Sequence, residues 1–497
     1  LRHVRKRCGM SGRPSHVVVV GRDAPLWLTA STLAEALVPT GVRVSAIELP
    51  SRLSPAAFHA TLPAIESLHS RLGRDEAALL RVTRGSFSLG TNIVQPGHAP
   101  FFLAHGAYGA PIDGNDFFPY WLKGRRFGLG AQFEDFSPTA MAARNGRILI
   151  PDEHTELFGR TDYAYHLPAI AYAGLLKGLA GRRGVTIHQA AEIEVEMHSG
   201  SGAIRAIRPD GKPAIAGDLF VDTSGPEATL VGEALGIATQ DWREFFPFDR
   251  HLLARANRFA SVPTYAELRL SKGSWTGLYA NQATTQVVHA YLSDEAADDA
   301  AAVNASAASE LTLSDISILT STPAVREKAW SRNCVAIGAA ACTFDPIFDI
   351  DLHAVQLGIV HLLSLFPTTA EAASERDEYN RITLSLFERL RDFQAALYLL
   401  VGASPVGPQN LKQKIDIFRA RGTIAPMEDE TFTPDQWRAL FIGLGLAPES
   451  WSPTVDSTPP ERVKEGFRRI LGFVSEKVLE QPSHDHYLAD IGADRTS

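Results

Sequence analysis

The feature that most constrains the fold is a strand–helix–strand pattern near the start of the sequence. The β-branched run HVVVVG (residues 16–21) predicts a buried strand, and residues 26–41 carry apolar side chains at helical spacing. The next run, VRVSAIE (42–48), predicts a second strand that ends in an acid. Such a βαβ unit is typical of dinucleotide-binding folds, in which an acid at this position holds a ribose hydroxyl. Glu48 is therefore a candidate ribose ligand, although a plain strand-end acid has the same pattern.

The other predicted core strands are far apart in the chain. Residues 165–184 predict an amphipathic helix, and residues 185–225 predict hairpin strands that return to a buried strand, DLFVDTSG. A further core strand, NCVAIG (333–338), is expected beside the one at 16–21. From Glu375 onward helical patterns dominate. The 497 residues exceed the ~250–300 at which a single core stops growing. We therefore expect an α/β fold with interleaved sheets.

Charge narrows the range of partners. The formal net charge of −8 provides no basic field for a phosphate backbone, so we expect no nucleic-acid partner. No apolar run approaches the ~18 residues of a membrane span, so we expect no membrane partner. Small-molecule chemistry is the favoured class of function.

The cysteines and the first residues indicate a compartment. Cys8, Cys334 and Cys342 cannot build a disulfide framework, and none lies in a CxxC pair that suggests zinc or redox work. The basic opening LRHVRKRCGM lacks the apolar region of a secretory signal, and Met10 is a candidate start. These features favour a cytoplasmic protein in a reducing compartment.

Seven segments, in order, resemble the flavin-dependent tryptophan halogenase family from about residue 16 to the end. They are IESLHSRLGRDEAALLRVTRGSFSLGTNI (65–93), FFLAHGAYGAPIDGNDFFPYWLKGR (101–125), YAYHLPAIAYAGLLKGLA (163–180), GDLFVDTSG (217–225), KAWSRNCVAIGAAACTFDPI (328–347), ERDEYNR (375–381) and QPSHDHYLADIGA (481–493). Seven matches in the same order make chance similarity improbable.

The resemblance implies an FAD-binding, monooxygenase-like box and a mostly helical C-terminal part that covers the substrate. We expect the box, with inserted substrate-domain segments, over residues 16–375 and the helical part over 376–497. In the family, reduced FAD reacts with oxygen and a halide to give hypohalous acid, which travels to a bound aromatic substrate. The implied partners are a small aromatic molecule, a flavin reductase if the chain is active, and a second copy or a paralogue.

The two cofactor loops depart from the family pattern. Where the family reads GxGxxG, this chain reads GRDAPLW: Gly21 is kept, but Asp23 and Leu26 replace the second and third glycines. Asp23 places a like charge beside a diphosphate, which costs ~1 kcal/mol at 4 Å even in water. Pro25 also removes an amide donor. In the second loop, aligned with residues 56–59, Phe58 replaces a glycine. We therefore expect weak or absent FAD binding.

A few cofactor positions remain recognisable. Besides Gly21 and Glu48, the resemblance implies contacts from Asp222, Gly225 and Gly338. Gly225 enters a tight turn, so a backbone requirement explains it equally well. His59, where the family has an acid, is expected to be a satisfied polar residue, and Phe58 to fill vacated space.

The residues that carry the family's chemistry are also replaced. The catalytic lysine position aligns with Ser88, whose hydroxyl cannot hold hypohalous acid as an ammonium does. The catalytic glutamate position aligns with Phe348, which lacks a carboxylate. Of the WxWxIP wall between flavin and substrate, Trp275 remains, whereas Gly277, Tyr279 and Ala280 replace the other members and predict a thinner wall.

The family's halide loop aligns with Asp349, Ile350 and Asp351. Two carboxylates repel a halide, so we interpret them as marks of a lost chloride site. Three other roles stay open: a solvated helix start, a site for a cation or an amine, and an acid–base pair. No further acid or histidine at ligand spacing confirms a metal site.

Together these replacements predict a divergent family member that is deficient in halogenation and weak in FAD binding. It would act as a small-molecule binder or as the partner of an active relative. The alternative is an active FAD-dependent monooxygenase or halogenase that acts on an aromatic or indole substrate. For a halogenase, Lys123 or Lys272 would have to replace the lost lysine.

Overall fold

The computed structural model describes residues 12–150, 162–369 and 372–494, so Cys8 and Met10 lie outside the described residues. The strands are β1 (His16–Gly21), β2 (Arg43–Glu48), β3 (Phe58–Ala60), β4 (Ser86–Ser88), β5 (Gly90–Val94), β6 (Phe101–Ala104), β7 (Ala164–Pro168), β8 (Thr186–Gln189), β9 (Ile193–Met197), β10 (Ile204–Pro209), β11 (Ile215–Ala216), β12 (Leu219–Thr223), β13 (Thr239–Asp241), β14 (Arg250–Asn257), β15 (Ala266–Ser271), β16 (Ser274–Ala280), β17 (Thr284–Tyr291), β18 (Ser314–Thr320), β19 (Ala324–Arg326), β20 (Trp330–Ser331), β21 (Cys334–Ala336) and β22 (Cys342–Thr343). The helices are α1 (Asp23–Leu37), α2 (Ile65–Arg71), α3 (Glu76–Thr83), α4 (Phe117–Arg126), α5 (Pro138–Arg144), α6 (Ala169–Arg182), α7 (Asp298–Ser309), α8 (Asp351–Ser364), α9 (Ala373–Leu400), α10 (Gln409–Arg421), α11 (Pro434–Gly443), α12 (Pro460–Glu480) and α13 (His484–Asp490).

The predicted βαβ unit forms the centre of the first sheet. Its strands lie in the order β20-β21-β12-β1-β2-β8, and β1 pairs in parallel with both β2 and β12. The four valines of β1 are fully buried, as expected for a parallel strand covered on both faces. The predicted strand at 333–338 is β21 of the same sheet, where β12 lies between it and β1.

A second, largely antiparallel sheet has the order β18-β14-β17-β16-β15-β5-β6. Its strands β5 and β6 precede β12 in the chain, and β14 to β18 follow it. The chain therefore passes between the two sheets more than once, which confirms the predicted interleaving.

A smaller sheet, β3-β7-β4, corrects two details of the sequence interpretation. Residues 164–168 form β7 and pair with β3 and β4, so the helix predicted over 165–184 begins only at Ala169. Phe58 lies in β3, so the segment aligned with the second cofactor loop is a paired strand.

The C-terminal part is helical, as predicted, from α9 to α13. The expected boundary after residue 375 falls in the first turn of α9. Asn380 of this helix accepts a hydrogen bond from the Trp330 backbone N–H at 2.7 Å and donates one to its carbonyl at 2.9 Å. These bonds tie the helical part to the first sheet. Within the described ranges, none of the helices is long and apolar enough to span a bilayer.

Candidate functional site

The turn between β1 and α1 keeps a backbone conformation that glycine favours, but larger side chains occupy two of its glycine positions. A side chain at Gly21 would overlap Thr223 of β12, so only glycine fits there. Asp23 has a φ of +58°, in the left-handed region that glycine favours and aspartate tolerates. Leu26, at the third glycine position, is fully buried. The aligned positions therefore keep the shape of the loop while their side chains fill it.

Two arginines that the sequence analysis missed lie near this turn: Arg22 at the start of α1 and Arg52 in the loop after β2. Arg22 precedes the helix, and burial together with the nearby Arg52 lowers its pKa. Arg52 forms an ion pair with Glu227, which follows β12. Asp23 is therefore not the only charge beside this turn. In the sequence these arginines appear only within the triplets GRD and PSR, which do not show that they come close together. Their proximity depends on how β2 and β12 pair with β1.

The predicted ribose ligand is already engaged by neighbouring side chains. The Oε2 atom of Glu48 accepts hydrogen bonds from Lys177 Nζ at 2.6 Å and from Gln189 Nε2 at 2.9 Å. The Lys177 ammonium also lies 5.4 Å from the centre of the Trp27 ring. A ribose would have to share this carboxylate with them.

Asp222 and Gly225 serve the turn after β12. Asp222 is fully buried; its Oδ1 accepts from the backbone N–H and hydroxyl of Ser224, and its Oδ2 accepts from the N–H groups of Leu230 and Val231. Gly225 has a φ of +103°, which supports the interpretation that the backbone of this turn requires glycine. The Asp222 carboxylate thus holds protein backbone.

A cavity of about 300 Å³, here called the sheet-edge cavity, opens where β21 and β1 end. Gly338, next to the lining residue Ala339, has a φ of +66°, and a Cβ there would come within 2.8 Å of Val355 and 3.8 Å of Pro25. This glycine therefore lets the starts of α1 and α8 approach each other. The cavity lining includes Pro25, His59, His251, Ser321, Ala339 and Asp351.

The segment before α8 contains a buried carboxyl that the sequence analysis missed. Asp345 is 1% exposed, and its Oδ1 accepts from Tyr398 Oη at 2.7 Å and from the Ile347 N–H at 3.0 Å. Tyr398 accepts in turn from Trp275 Nε1 at 2.8 Å. Burial raises the pKa of Asp345 to about 7 despite these donors. Gln394 also donates to the backbone carbonyls of Asp345 and Ile347, so α9 fixes this segment.

The two predicted halide-loop acids lie in different surroundings. Asp349 is half-buried, with a φ of +43°, and its Oδ2 accepts from the Ala60 N–H at 2.5 Å. Burial and the neighbouring Asp351 raise its pKa. The solvated-helix-start interpretation is therefore wrong for Asp349, because β3 covers it. Asp351 is the first residue of α8 and is exposed to the sheet-edge cavity, yet the surrounding protein raises its pKa to about 6. Ile350, between them, is buried.

Ser88 and Phe348 meet in a second space, here called the inner cavity, of only about 30 Å³. They are 260 positions apart in the sequence. His105 and His166 line the same cavity, and burial lowers the pKa of His105 to about 3 and of His166 to about 4. Both imidazoles are therefore neutral at pH 7. Sequence reasoning missed them because nothing in their local sequence distinguishes them from other buried histidines.

Aromatic side chains fill the space around the inner cavity. The Phe393 and Phe432 rings stack with centres 3.6 Å apart, and Phe348 lies 5.6 Å from Phe393. Phe432 also lines an outer cavity of about 280 Å³, which shares Leu62, His105 and Gln436 with the inner cavity. Phe432 thus lies between the two spaces.

The wall containing Trp275 is denser than the sequence predicts. A Cβ at Gly277 would meet the rings of Tyr279 at 2.8 Å and of Trp275 at 3.3 Å, so these rings cover the glycine. Tyr279 packs on Phe58 with ring centres 4.4 Å apart. The expectation of a thinned wall is wrong, because Tyr279 and Phe58 occupy the space.

The remaining candidates are accounted for as follows. Lys123 pairs with Asp456 at 2.9 Å, and Lys272 lies in the turn between β15 and β16. Cys334 and Cys342 are buried and free. In the part of the chain that the structure describes, no group of three or more His, Cys, Asp or Glu side chains is arranged to hold a metal ion.

Comparison with known proteins identifies the family. The family model for tryptophan halogenase matches residues 16–460. The tryptophan 6-halogenase ThaL from Streptomyces albogriseolus is 24% identical over 90% of this chain and 93% of its own. Among solved structures, the flavin-dependent halogenase BrvH from Brevundimonas sp. BAL3 is 27% identical, with a TM-score of 0.89 over 96% of this chain and 99% of that chain. A flavin-dependent halogenase from Xanthomonas campestris is 26% identical, with a TM-score of 0.90 over 96% of this chain and 98% of its own. These matches confirm the resemblance and the predicted fold class. The chain belongs to the flavin-dependent tryptophan halogenase family.

Proposed function

We propose that this protein is a divergent member of its family that is deficient in halogenation and weak in FAD binding. It acts as a small-molecule binder or as the partner of an active relative. The observation that carries the proposal is the meeting of Ser88 and Phe348 in one inner cavity. These positions align with the family's lysine and glutamate, and neither side chain supplies an ammonium or a carboxylate.

The residues present do not fit a diphosphate well. Leu26 fills the position where a glycine or alanine allows close helix–strand packing, and Pro25 removes an amide that could face an anion. Arg22 and Arg52 offset part of the charge of Asp23, but Glu227 already engages Arg52. The Leu26 side chain and the missing amide of Pro25 are therefore greater obstacles to a diphosphate than the charge of Asp23.

The inner cavity is also too small for an aromatic substrate. A volume of about 30 Å³ has room for water, whose share of liquid volume is ~30 Å³, but not for an indole ring. Phe348, Phe393 and Phe432 occupy the surrounding space. A substrate could enter only if these rings moved.

One observation favours the alternative, an active flavoenzyme acting on an aromatic substrate and supplied by a flavin reductase. The sheet-edge cavity of about 300 Å³ remains open at the carboxyl ends of the parallel strands, where such folds bind cofactors. A flavin ring held there would require the turn at residues 22–26 to rearrange around its diphosphate.

Isothermal titration with FAD, together with the absorbance spectrum of the purified protein, tests the proposal. We expect no flavin bands and a Kd well above ~1 μM, the value that corresponds to about −8 kcal/mol. Co-purified flavin or a Kd at or below that value would overturn the weak-binding part. Halogenated product from the unmodified chain, supplied with FAD, a reductase and bromide, would overturn the catalytic part.

A further inference from the structure

We infer that the sheet-edge cavity binds a small molecule that carries a positively charged amine on a compact apolar or aromatic body. The inference rests on the proposed function, because tightly bound FAD would occupy the same cavity. An amine of this kind is the class of ligand that the flavin-free protein would bind.

The charge that selects an amine is the Asp351 carboxylate. Asp351 begins α8 and is exposed to the cavity. Among the described residues, no Lys, Arg or His pairs with this carboxylate. A carboxylate at this position attracts a cation and repels a halide or a second carboxylate.

Unpartnered polar atoms lie around the same cavity. Ser321 is 5% exposed, and its Oγ has no hydrogen-bond partner among the described residues. His59 Nε2 and His251 Nδ1 also lack a partner there, so the expectation that His59 is a satisfied polar residue is wrong. Burial lowers the pKa of both histidines to about 4, so they are neutral at pH 7 and do not compete with a cation for Asp351. An ammonium group has three donors, and a carboxylate, a hydroxyl and a neutral imidazole can all accept them.

The rest of the lining is apolar and limits the size of the ligand. Pro25, Ala339, Leu352 and Val355 form one side, and Phe344 contributes an aromatic surface. A volume of about 300 Å³ lies at the lower end of the ~300–1,000 Å³ range of ligand cavities. A single-ring amine matches this size and polarity. A metal ion does not, since no cluster of ligating side chains occurs in the described ranges.

The test compares two probes of the same shape, phenethylamine and 2-phenylethanol, by titration calorimetry at pH 7.5. We expect phenethylamine to bind at least about tenfold more tightly than the alcohol, because hydrogen bonds to a charged group are stronger than neutral ones. Phenylalanine, which adds a carboxylate, is expected to bind more weakly than phenethylamine. Equal binding of the amine and the alcohol, or no detectable binding of the amine, would overturn the inference.

Two matched variants assign the effect to the cavity. Asp351→Asn removes the charge at constant shape and should abolish the preference for the amine. Asp349→Asn changes a carboxyl of the same loop that is outside the cavity lining, and should keep the preference. Thermal unfolding midpoints show whether both variants fold. A folded Asp351→Asn variant that still prefers the amine refutes the assignment.

The pH dependence gives a second readout. His59 and His251 line the same cavity as Asp351, and Asp345, Asp349 and Cys342 are titratable neighbours whose pKa the charge of Asp351 raises. With a pKa of about 6, Asp351 is mostly protonated at pH 5, so the affinity for phenethylamine should fall about tenfold from pH 8 to pH 5. A flat profile would contradict the role of this carboxylate.

The FAD titration distinguishes failure of the proposed weak FAD binding from failure of the proposed amine binding. Tight FAD binding refutes the proposed weak binding, but the comparison of amine and alcohol on flavin-free protein still decides the present inference. Conversely, weak FAD binding with no amine preference refutes only the inference.

Discussion

Replacing Asp345 with asparagine is expected to stabilise the protein, and to do so more at pH 8 than at pH 5. The side chain is 1% exposed, and its Oδ2 has no hydrogen-bond partner in the part of the chain that the structure describes. Asparagine can keep the acceptor for Tyr398 and Ile347 while removing the carboxyl that ionises. The variant therefore resembles the protonated form of the native residue.

The sign and size follow from the raised pKa. Asp345 has a pKa of about 7 in the folded chain, against an ordinary value of 3.8. Between these values the unfolded carboxyl is ionised while the folded one keeps its proton, so the free energy of unfolding falls as pH rises. The loss is about 1.5 kcal/mol at pH 5 and reaches about 4 kcal/mol above pH 7, at 1.36 kcal/mol per pH unit. Asp345→Asn removes this loss.

Urea unfolding of both proteins at pH 5 and pH 8 measures the effect. An asparagine amide adds an offset that does not depend on pH, so the informative quantity is the change in the difference between the two proteins. That change should be about 2.5 kcal/mol in favour of the variant at pH 8. Asp222→Asn is the contrasting control, because its carboxylate accepts from four donors and its loss should destabilise the fold at both pH values. A difference that stays constant or reverses between pH 5 and pH 8 would refute the assignment of Asp345.

Three other changes address the cofactor turn, the inner cavity and the chemistry. Asp23→Gly combined with Leu26→Ala should raise the affinity for FAD at least tenfold by calorimetry, while the lost burial of Leu26 costs about 2–5 kcal/mol of stability; unchanged affinity would show that the turn is not the obstacle. Phe432→Ala should join the inner and outer cavities, cost about 3–5 kcal/mol, and allow indole to raise the unfolding midpoint of the variant but not of the native protein. Ser88→Lys with Phe348→Glu should give no halogenated product by mass spectrometry unless the turn is also restored, because groups that act as a unit are not additive; product from this double variant with the native turn would contradict this.

Local sequence patterns predicted the first sheet because its strand sequences fit few other secondary structures. A continuous run of valines at 17–20 fits a strand buried on both faces, and the helix that follows has the spacing to cover it. The pattern failed at residues 164–168, where a strand is only five residues long and runs directly into a helix. A short strand of this kind forms because β3 and β4 pair with it, and that pairing is not encoded locally.

The site was less predictable than the fold. The alignment of Ser88 and Phe348 with family positions came from the resemblance, and their meeting in one cavity agrees with it. The ionisation of the acids in the site could not be predicted from the resemblance. Asp345 precedes the aligned halide loop and has no unusual neighbours in the sequence, yet burial in a segment held by Tyr398 and Gln394 of α9 raises its pKa. Likewise, Arg52 and Glu227 form a pair only because β2 and β12 both flank β1.

Burial explains how three acids fit in one short segment although none of them has a basic partner within the described ranges. Ionising Asp345, Asp349 and Asp351 together would place three like charges within seven residues in a site largely shielded from water, which is costly. The raised pKa of each group reduces this cost. With a pKa of about 6 against about 7, Asp351, which opens to the cavity, ionises before Asp345. As pH rises through 7, Asp345 also ionises and the cavity becomes more negative. The same step should weaken binding of any anion there and strengthen binding of an amine, so the two ligand classes are expected to show opposite pH dependence between pH 6 and pH 8.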